Sequence, residues 1–185
     1  MQDLLVWTRA DFERLPDEGR WEVVEGRAIL VPPPEIPHQK ISDTLVGLFR
    51  SAFQAIGTGS VVSAVSVFVP RPPGAYGIQS RTPDIILYHR EPRHYFEAGE
   101  PPDLVIEILS TPRGNVERTE KLDDYALAGI GEYWIVDPFR RAVEVYRLAQ
   151  GVYGDPEMVS RGALRPGAFP GLEIDVEQIW PEQNL

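Results

Sequence analysis

Two short segments constrain this chain more than anything else in it. Residues 84–88 read Asp-Ile-Ile-Leu-Tyr, and residues 104–109 read Leu-Val-Ile-Glu-Ile-Leu. A strand with one wet face alternates apolar and polar residues, but these runs are apolar at nearly every position. That is how a strand buried on both faces reads. The chain is therefore expected to build a mixed α/β fold around a sheet of parallel and antiparallel strands.

The exception inside the second run is Glu107. In a strand it shares a face with Val105 and Leu109, while Leu104, Ile106 and Ile108 share the other. An ionised carboxylate buried without a partner costs several kcal/mol, a large part of the ~5–15 kcal/mol that holds a whole domain together. Glu107 therefore needs a cation, a metal or a proton. Asp84 opens the other apolar strand directly after Pro83 and shares its face with Ile86 and Tyr88. Two carboxylates on neighbouring buried strands repel unless positive charge lies between them. Mg²⁺ is often held by one or two carboxylates and completes its shell with water and phosphate.

Only Lys40 and Lys121 are lysine. Lys121 lies in a segment expected to be helical, with Arg118 and Tyr125 on the same side. From there an ammonium could reach the carboxylates, steady charge on a phosphate, or lower the pKa of an attacking water. Each residue also has a plainer reading. Glu107 could form a structural ion pair with an arginine, Asp84 could cap the turn at Pro83, and Lys121 could be a solvated partner of Glu117. His38 could be a surface or capping residue, and Glu22 and Glu25 could be exposed hairpin positions.

The rest of the chain supplies the frame. Residues 8–15 read as a short helix capped by Thr8. Residues 21–31 read as a hairpin turning at Glu25-Gly26, followed by the breaker Pro32-Pro33-Pro34. Residues 36–56 carry Ile41, Leu45, Leu48, Phe49, Ala52 and Phe53 on one helical stripe, stopped by Gly57 and Gly59. Residues 60–70 read as one strand in which Ala64 falls out of step, and residues 70–82, rich in Pro and Gly, as a loop. A polar stretch with Arg90, Arg93 and His94 separates the two apolar strands. Residues 115–128 read as a helix capped by Asn115 and stopped by Gly129. Residues 133–137 and 142–148 form an expected hairpin around Pro138. A β-like piece at 172–174 and an amphipathic end at 176–180 complete the tail.

With 185 residues, 43% of them hydrophobic and 25% charged, the composition is globular. The absence of cysteine excludes disulfides, thiolate nucleophiles and cysteine-held metals. No apolar run is long enough to span a bilayer and no leader opens the chain, so a soluble cytoplasmic protein without a membrane partner is expected. The formal charge of −10, from 28 acidic against 18 basic residues, argues against a simple electrostatic nucleic-acid binder. It does not argue against a nuclease, whose metal ligands are acidic themselves.

The following residues together resemble a known family: Trp21-Glu22-Val23-Val24-Glu25-Gly26; Pro32-Pro33-Pro34 with His38-Gln39; Pro83-Asp84-Ile85-Ile86; Pro102-Asp103 leading into 104–110; Glu120-Lys121 with Tyr125-Ala126; Gly129; Glu132-Tyr133-Trp134-Ile135-Val136-Asp137; and Phe169-Pro170-Gly171-Leu172. The chain is similar to the Uma-two family of restriction-endonuclease-like proteins. That resemblance implies a PD-(D/E)XK nuclease core, a central mixed sheet flanked by helices, spanning 1–185 with 1–18 as a helical extension. It implies a Mg²⁺-dependent endonuclease, with Mn²⁺ as a substitute, acting on nucleic acid and first of all on DNA. Asp84 and Glu107 are then the metal ligands and catalytic acids. The family's usual lysine position is Leu109 here, and Lys121 from the following helix takes its place. Glu25 and His38 are the candidates for the upstream contributor, and Tyr125 and His38 for substrate contact. A homodimer is an expectation, because cutting a duplex needs two sites. Two rival readings remain: an inactive nuclease fold used as a binding or interaction module, and a carboxylate-pair glycosidase, which has no use for Lys121.

Overall fold

The two apolar runs lie side by side at the centre of the larger of two main sheets. The computed structural model describes residues 6–71, 76–92 and 94–181; Arg93 and residues 72–75 of the expected 70–82 loop lie outside them. Helix α1 (Arg9–Phe12) is closed by a capping box in which Thr8 and Asp11 bond each other's backbone. Strands β1 (Arg20–Val24) and β2 (Arg27–Val31) form the expected hairpin. Its turn holds Glu25 at φ 49° and Gly26 at φ 76°, the paired left-handed geometry that a two-residue hairpin loop requires. Helix α2 (Ile36–Ile56) has the expected limits, with a proline in its first turn and Gly57 in the left-handed conformation at its end.

The expected strand over 60–70 is two strands in different sheets. β3 (Ser60–Ser63) pairs with the large sheet, and β4 (Val67–Phe68) with the small one. Between them Ala64 adopts φ 56°, so the residue that breaks the alternation is where the chain changes sheet. The expected loop contains a further strand, β5 (Ser80–Arg81), which pairs with β1 and β4. Then come β6 (Ile85–Tyr88) and β7 (Leu104–Ile108), both buried throughout. Helix α3 (Glu120–Ala128) ends at Gly129 as expected but is capped at Thr119, four residues later than the expected cap at Asn115. The Glu117 carbonyl accepts the Tyr133 hydroxyl at 3.1 Å, and the Lys121 N–H bonds Val116 instead, so regular helix begins only after this kink. β8 (Glu132–Asp137) and β9 (Ala142–Ala149) make the second hairpin. Four short strands follow: β10 (Val152–Tyr153), β11 (Glu157–Val159), β12 (Ala163–Leu164) and β13 (Ile174–Asp175), with a 3₁₀ turn at Val176–Ile179.

The large sheet has the order β10-β9-β8-β7-β6-β3, with β11 also on β9; β7 and β8 are parallel and the other pairs antiparallel. The small sheet has the order β2-β1-β5-β4. Helix α2 covers one face of the large sheet, where Ile41, Leu45, Phe49 and Phe53 meet Ile85, Leu87, Leu104, Ile106 and Trp134. Tyr125 and Ala128 of α3 cover the other with Ile86, Val105, Leu109, Tyr133 and Ile135. This is a mixed sheet flanked by helices, and both apolar strands are buried on both faces for that reason.

Candidate active site at the seam between the sheets

The chain leaves the small sheet after Arg81 and enters the large one at Ile85, and Asp84 sits in that crossing. The β6–β7 register pairs Ile85 with Ile106 and Ile86 with Val105. Asp84 stands one residue before that ladder begins, and its charge acts on Glu107. The Asp84 carboxylate spans the pair: Oδ2 accepts the Ile108 N–H at 2.9 Å and lies 3.1 Å from His38 Nε2, and Oδ1 accepts from Arg20 at 3.1 Å. Burial opposes its ionisation, but the bond and charge of His38, the charge of Arg20 and the Ile108 N–H outweigh it and hold its pKa below the ordinary value. Its side chain is therefore bonded across the strands, not used as a cap for the Pro83 turn.

Glu107 is 2% exposed. Its Oε1 lies 2.9 Å from Lys121 Nζ and accepts the Tyr125 hydroxyl at 2.6 Å. Lys121 and Tyr125 are one helical turn apart, so one face of α3 delivers both. Lys121 thus pairs with Glu107 instead of Glu117, and no arginine among the described residues takes that place. Arg118, from the kinked segment before α3, turns away to Asp137 and Glu144. Burial pushes the Glu107 carboxyl up to about 7; Lys121 works against this, and the charges of Asp84 and Glu22 add to it. Burial also works to strip Lys121 of its proton, but Glu107, Glu22 and Asp84 prevail and raise its pKa above the usual lysine value. The acid and the base both move upward, the acid chiefly through burial and the base through the carboxylates around it.

The hairpin contributes a different acid from the one expected. Glu25 stands exposed at the turn. Glu22, three residues earlier, is buried; its oxygens accept from the Thr82 N–H at 3.0 Å and from Arg81 at 3.1 Å. Arg81 also reaches Asp124 of α3 at 2.6 Å. A buried guanidinium therefore ties β1, β5 and α3 together beside the Asp84–Glu107 pair. Reading Glu22 as exposed missed this, because β1 is an interior strand of the small sheet and its polar position faces the seam. His38 is buried in the first turn of α2, and its Nδ1 has no hydrogen-bond partner among the described residues. Among those residues no set of three or more His, Asp or Glu side chains is arranged to hold a metal ion.

The comparisons with known proteins bear on the family and the fold. The family Uma2, described as "Putative restriction endonuclease", matches residues 9–177. The chain belongs to the Uma2 family. A solved structure titled as that of "a putative nuclease belonging to DUF820" from Anabaena variabilis superposes with a TM-score of 0.71 at 23% identity, covering 93% of this chain and 96% of that one. The likeness shows a shared fold. A comparison with curated proteins gave no match. No helix among the described residues is long and apolar enough to cross a membrane.

Proposed function

We propose that this Uma2 protein is a divalent-metal-dependent endonuclease acting on DNA, with Asp84, Glu107 and Lys121 as its working residues. The observation that carries the reading is the Asp84 carboxylate bonded to the N–H of Ile108, the residue next to Glu107, with the Lys121 ammonium against Glu107. The family description and the nuclease-titled structural neighbour support the reaction class. The residues fit a metal ion. The Asp84 and Glu107 carboxylates supply hard oxygen donors, one steadied by the Ile108 N–H and the other by Tyr125 and Lys121. Burial disfavours the ionised form of Glu107, and a dication beside it would favour that form. Two protein carboxylates are also what Mg²⁺ or Mn²⁺ commonly takes when substrate phosphate completes the shell.

Asp84 and Glu107 would hold that ion. When bound it supplies Lewis acidity at a phosphate oxygen and lowers the pKa of a water. The protein's own groups do the rest. Lys121 keeps its proton and presents positive charge where negative charge develops on the phosphate. The Tyr125 hydroxyl fixes the Glu107 side chain. Arg20 and the Ile108 N–H fix the Asp84 oxygens, so neither carboxylate reorganises during the reaction. Scission of both strands of a duplex would need two such sites, hence two copies of the chain.

The experiment is cleavage of a panel of single- and double-stranded DNA and RNA with Mg²⁺ or Mn²⁺, comparing wild type with Asp84→Ala, Glu107→Ala and Lys121→Ala. Cleavage by wild type that all three changes abolish is expected; cleavage that survives them refutes the assignment. A second reading, a binding module that keeps the fold without catalysis, is favoured by one observation: Glu107 is already paired with Lys121, and Asp84 with Arg20. Calorimetric titration with Mn²⁺ separates the two, because the module would take up none.

A further inference from the structure

Next to the seam, across Arg20 from Asp84, lies a cavity of about 170 Å³. Trp21 and Tyr95 supply aromatic walls and Phe12 and Leu15 an apolar lining, while Arg20 and Thr82 bring polar groups. Arg20 belongs to both places: it donates to Asp84 and to the Thr82 carbonyl, and its Nε is buried with no hydrogen-bond partner among the described residues. At ~30 Å³ per water the cavity holds about five or six waters, far below the ~300 Å³ and more of a drug-sized site. That is room for one flat ring system.

We infer that this cavity is a subsite for a single unstacked nucleobase of the substrate strand, stacked on Trp21 and hydrogen-bonded by Arg20. The inference rests on the nuclease reading and deepens it, naming the substrate as single-stranded or locally opened nucleic acid. Aromatic side chains beside a guanidinium are how proteins hold unstacked bases, because every base offers a π-face and ring acceptors. The Arg20 guanidinium is partly exposed and spends one N–H of each terminal nitrogen on Asp84 and the Thr82 carbonyl, which leaves further N–H groups for a base carbonyl or ring nitrogen. Glu13 and Asp17, which also line the cavity, add acceptors for an exocyclic amino group. Base stacking also suits a chain with a net charge of −10, since it adds affinity that does not depend on a basic surface.

The test is fluorescence anisotropy of labelled single strands on the full chain, with Ca²⁺ replacing Mg²⁺ to keep the strands intact. Intact strands are compared with strands whose central bases are replaced by abasic sites. Wild type is expected to bind the intact strand about tenfold more tightly. Trp21→Leu should erase that difference while Trp21→Phe retains most of it, each variant first shown to be folded by its unfolding transition. Equal binding of both strands to wild type, or a difference that survives Trp21→Leu, overturns the subsite and leaves the nuclease reading standing. Failure of wild type to bind either strand likewise overturns the subsite, whereas the nuclease reading stands or falls on the cleavage panel with double-stranded substrates.

Discussion

Asp84 accepts the backbone N–H of Ile108 at 2.9 Å, and Ile108 is the residue next to Glu107. One candidate acid thus fixes the strand that carries the other. Asp84→Asn keeps the shape and an oxygen for that N–H but removes the charge facing Arg20 and His38. Hydrolysis should fall by at least about a hundredfold, while chemical unfolding shows a loss of about 1–3 kcal/mol. Unchanged hydrolysis in a folded variant would remove Asp84 from the site.

Glu107 predicts an unusual pH dependence of stability. Its carboxyl is raised from 4.5 to about 7 in the folded chain, so between those values the folded state binds more protons than the unfolded state. Its contribution is therefore complete below about 4.5 and is lost as the pH rises to about 7, with a slope of up to about 1.4 kcal/mol per pH unit. Asp84, held below its ordinary value, has the opposite sign and loses its contribution only in acid. Denaturant midpoints measured from pH 5 to 8 should fall with rising pH in wild type and flatten in Glu107→Gln. Added Mn²⁺ should offset the fall, because a dication favours the ionised carboxylate. Identical slopes in the two proteins would show that Glu107 titrates normally.

The core of this site was legible in the sequence because burial and charge conflict there. A glutamate inside Leu-Val-Ile-Glu-Ile-Leu needs a partner, and one of only two lysines lies on the next helix. The limits of α2 and the two hairpins were legible for similar local reasons: a stripe, a proline, a glycine stop. What escaped was non-local. Nothing around Glu22 distinguishes a polar residue facing solvent from one facing a seam, because that depends on β5, a two-residue strand inside a Pro- and Gly-rich segment. Arg81 and Asp124 escaped for the same reason, being separated by 43 residues and joined only by the fold. The late start of α3 depends on the hydroxyl of Tyr133, which reaches back 16 residues.

The Arg81 tie should be structural in its effect. Arg81→Met leaves Glu22 and Asp124 without their shared cation, and removing one partner of a buried ion network typically costs about 3–5 kcal/mol. The double change Arg81→Met with Glu22→Gln should recover part of that loss, since one of the stranded charges is gone. Equilibrium unfolding of both variants measures the coupling; a loss that adds simply would show that Glu22 and Arg81 act independently.

Lys121 and Tyr125 both hold the Glu107 carboxylate in its charged form, one by its charge and one by its hydroxyl. Lys121→Met should therefore drive the Glu107 pKa further up, and Tyr125→Phe should do so by a smaller step. If the ionised carboxylate is the competent form, the acidic limb of the pH–rate profile moves to higher pH in both variants. A shift of about one pH unit or more is expected for Lys121→Met and a fraction of that for Tyr125→Phe. Lys121→Met should also lower the plateau rate, because Lys121 carries charge toward the phosphate as well. Tyr125→Phe, which only positions Glu107, should keep most of its plateau. A pH–rate series with Mn²⁺ separates the two effects. An acidic limb that stays in place in both variants would show that Glu107 is not the group whose ionisation limits the reaction.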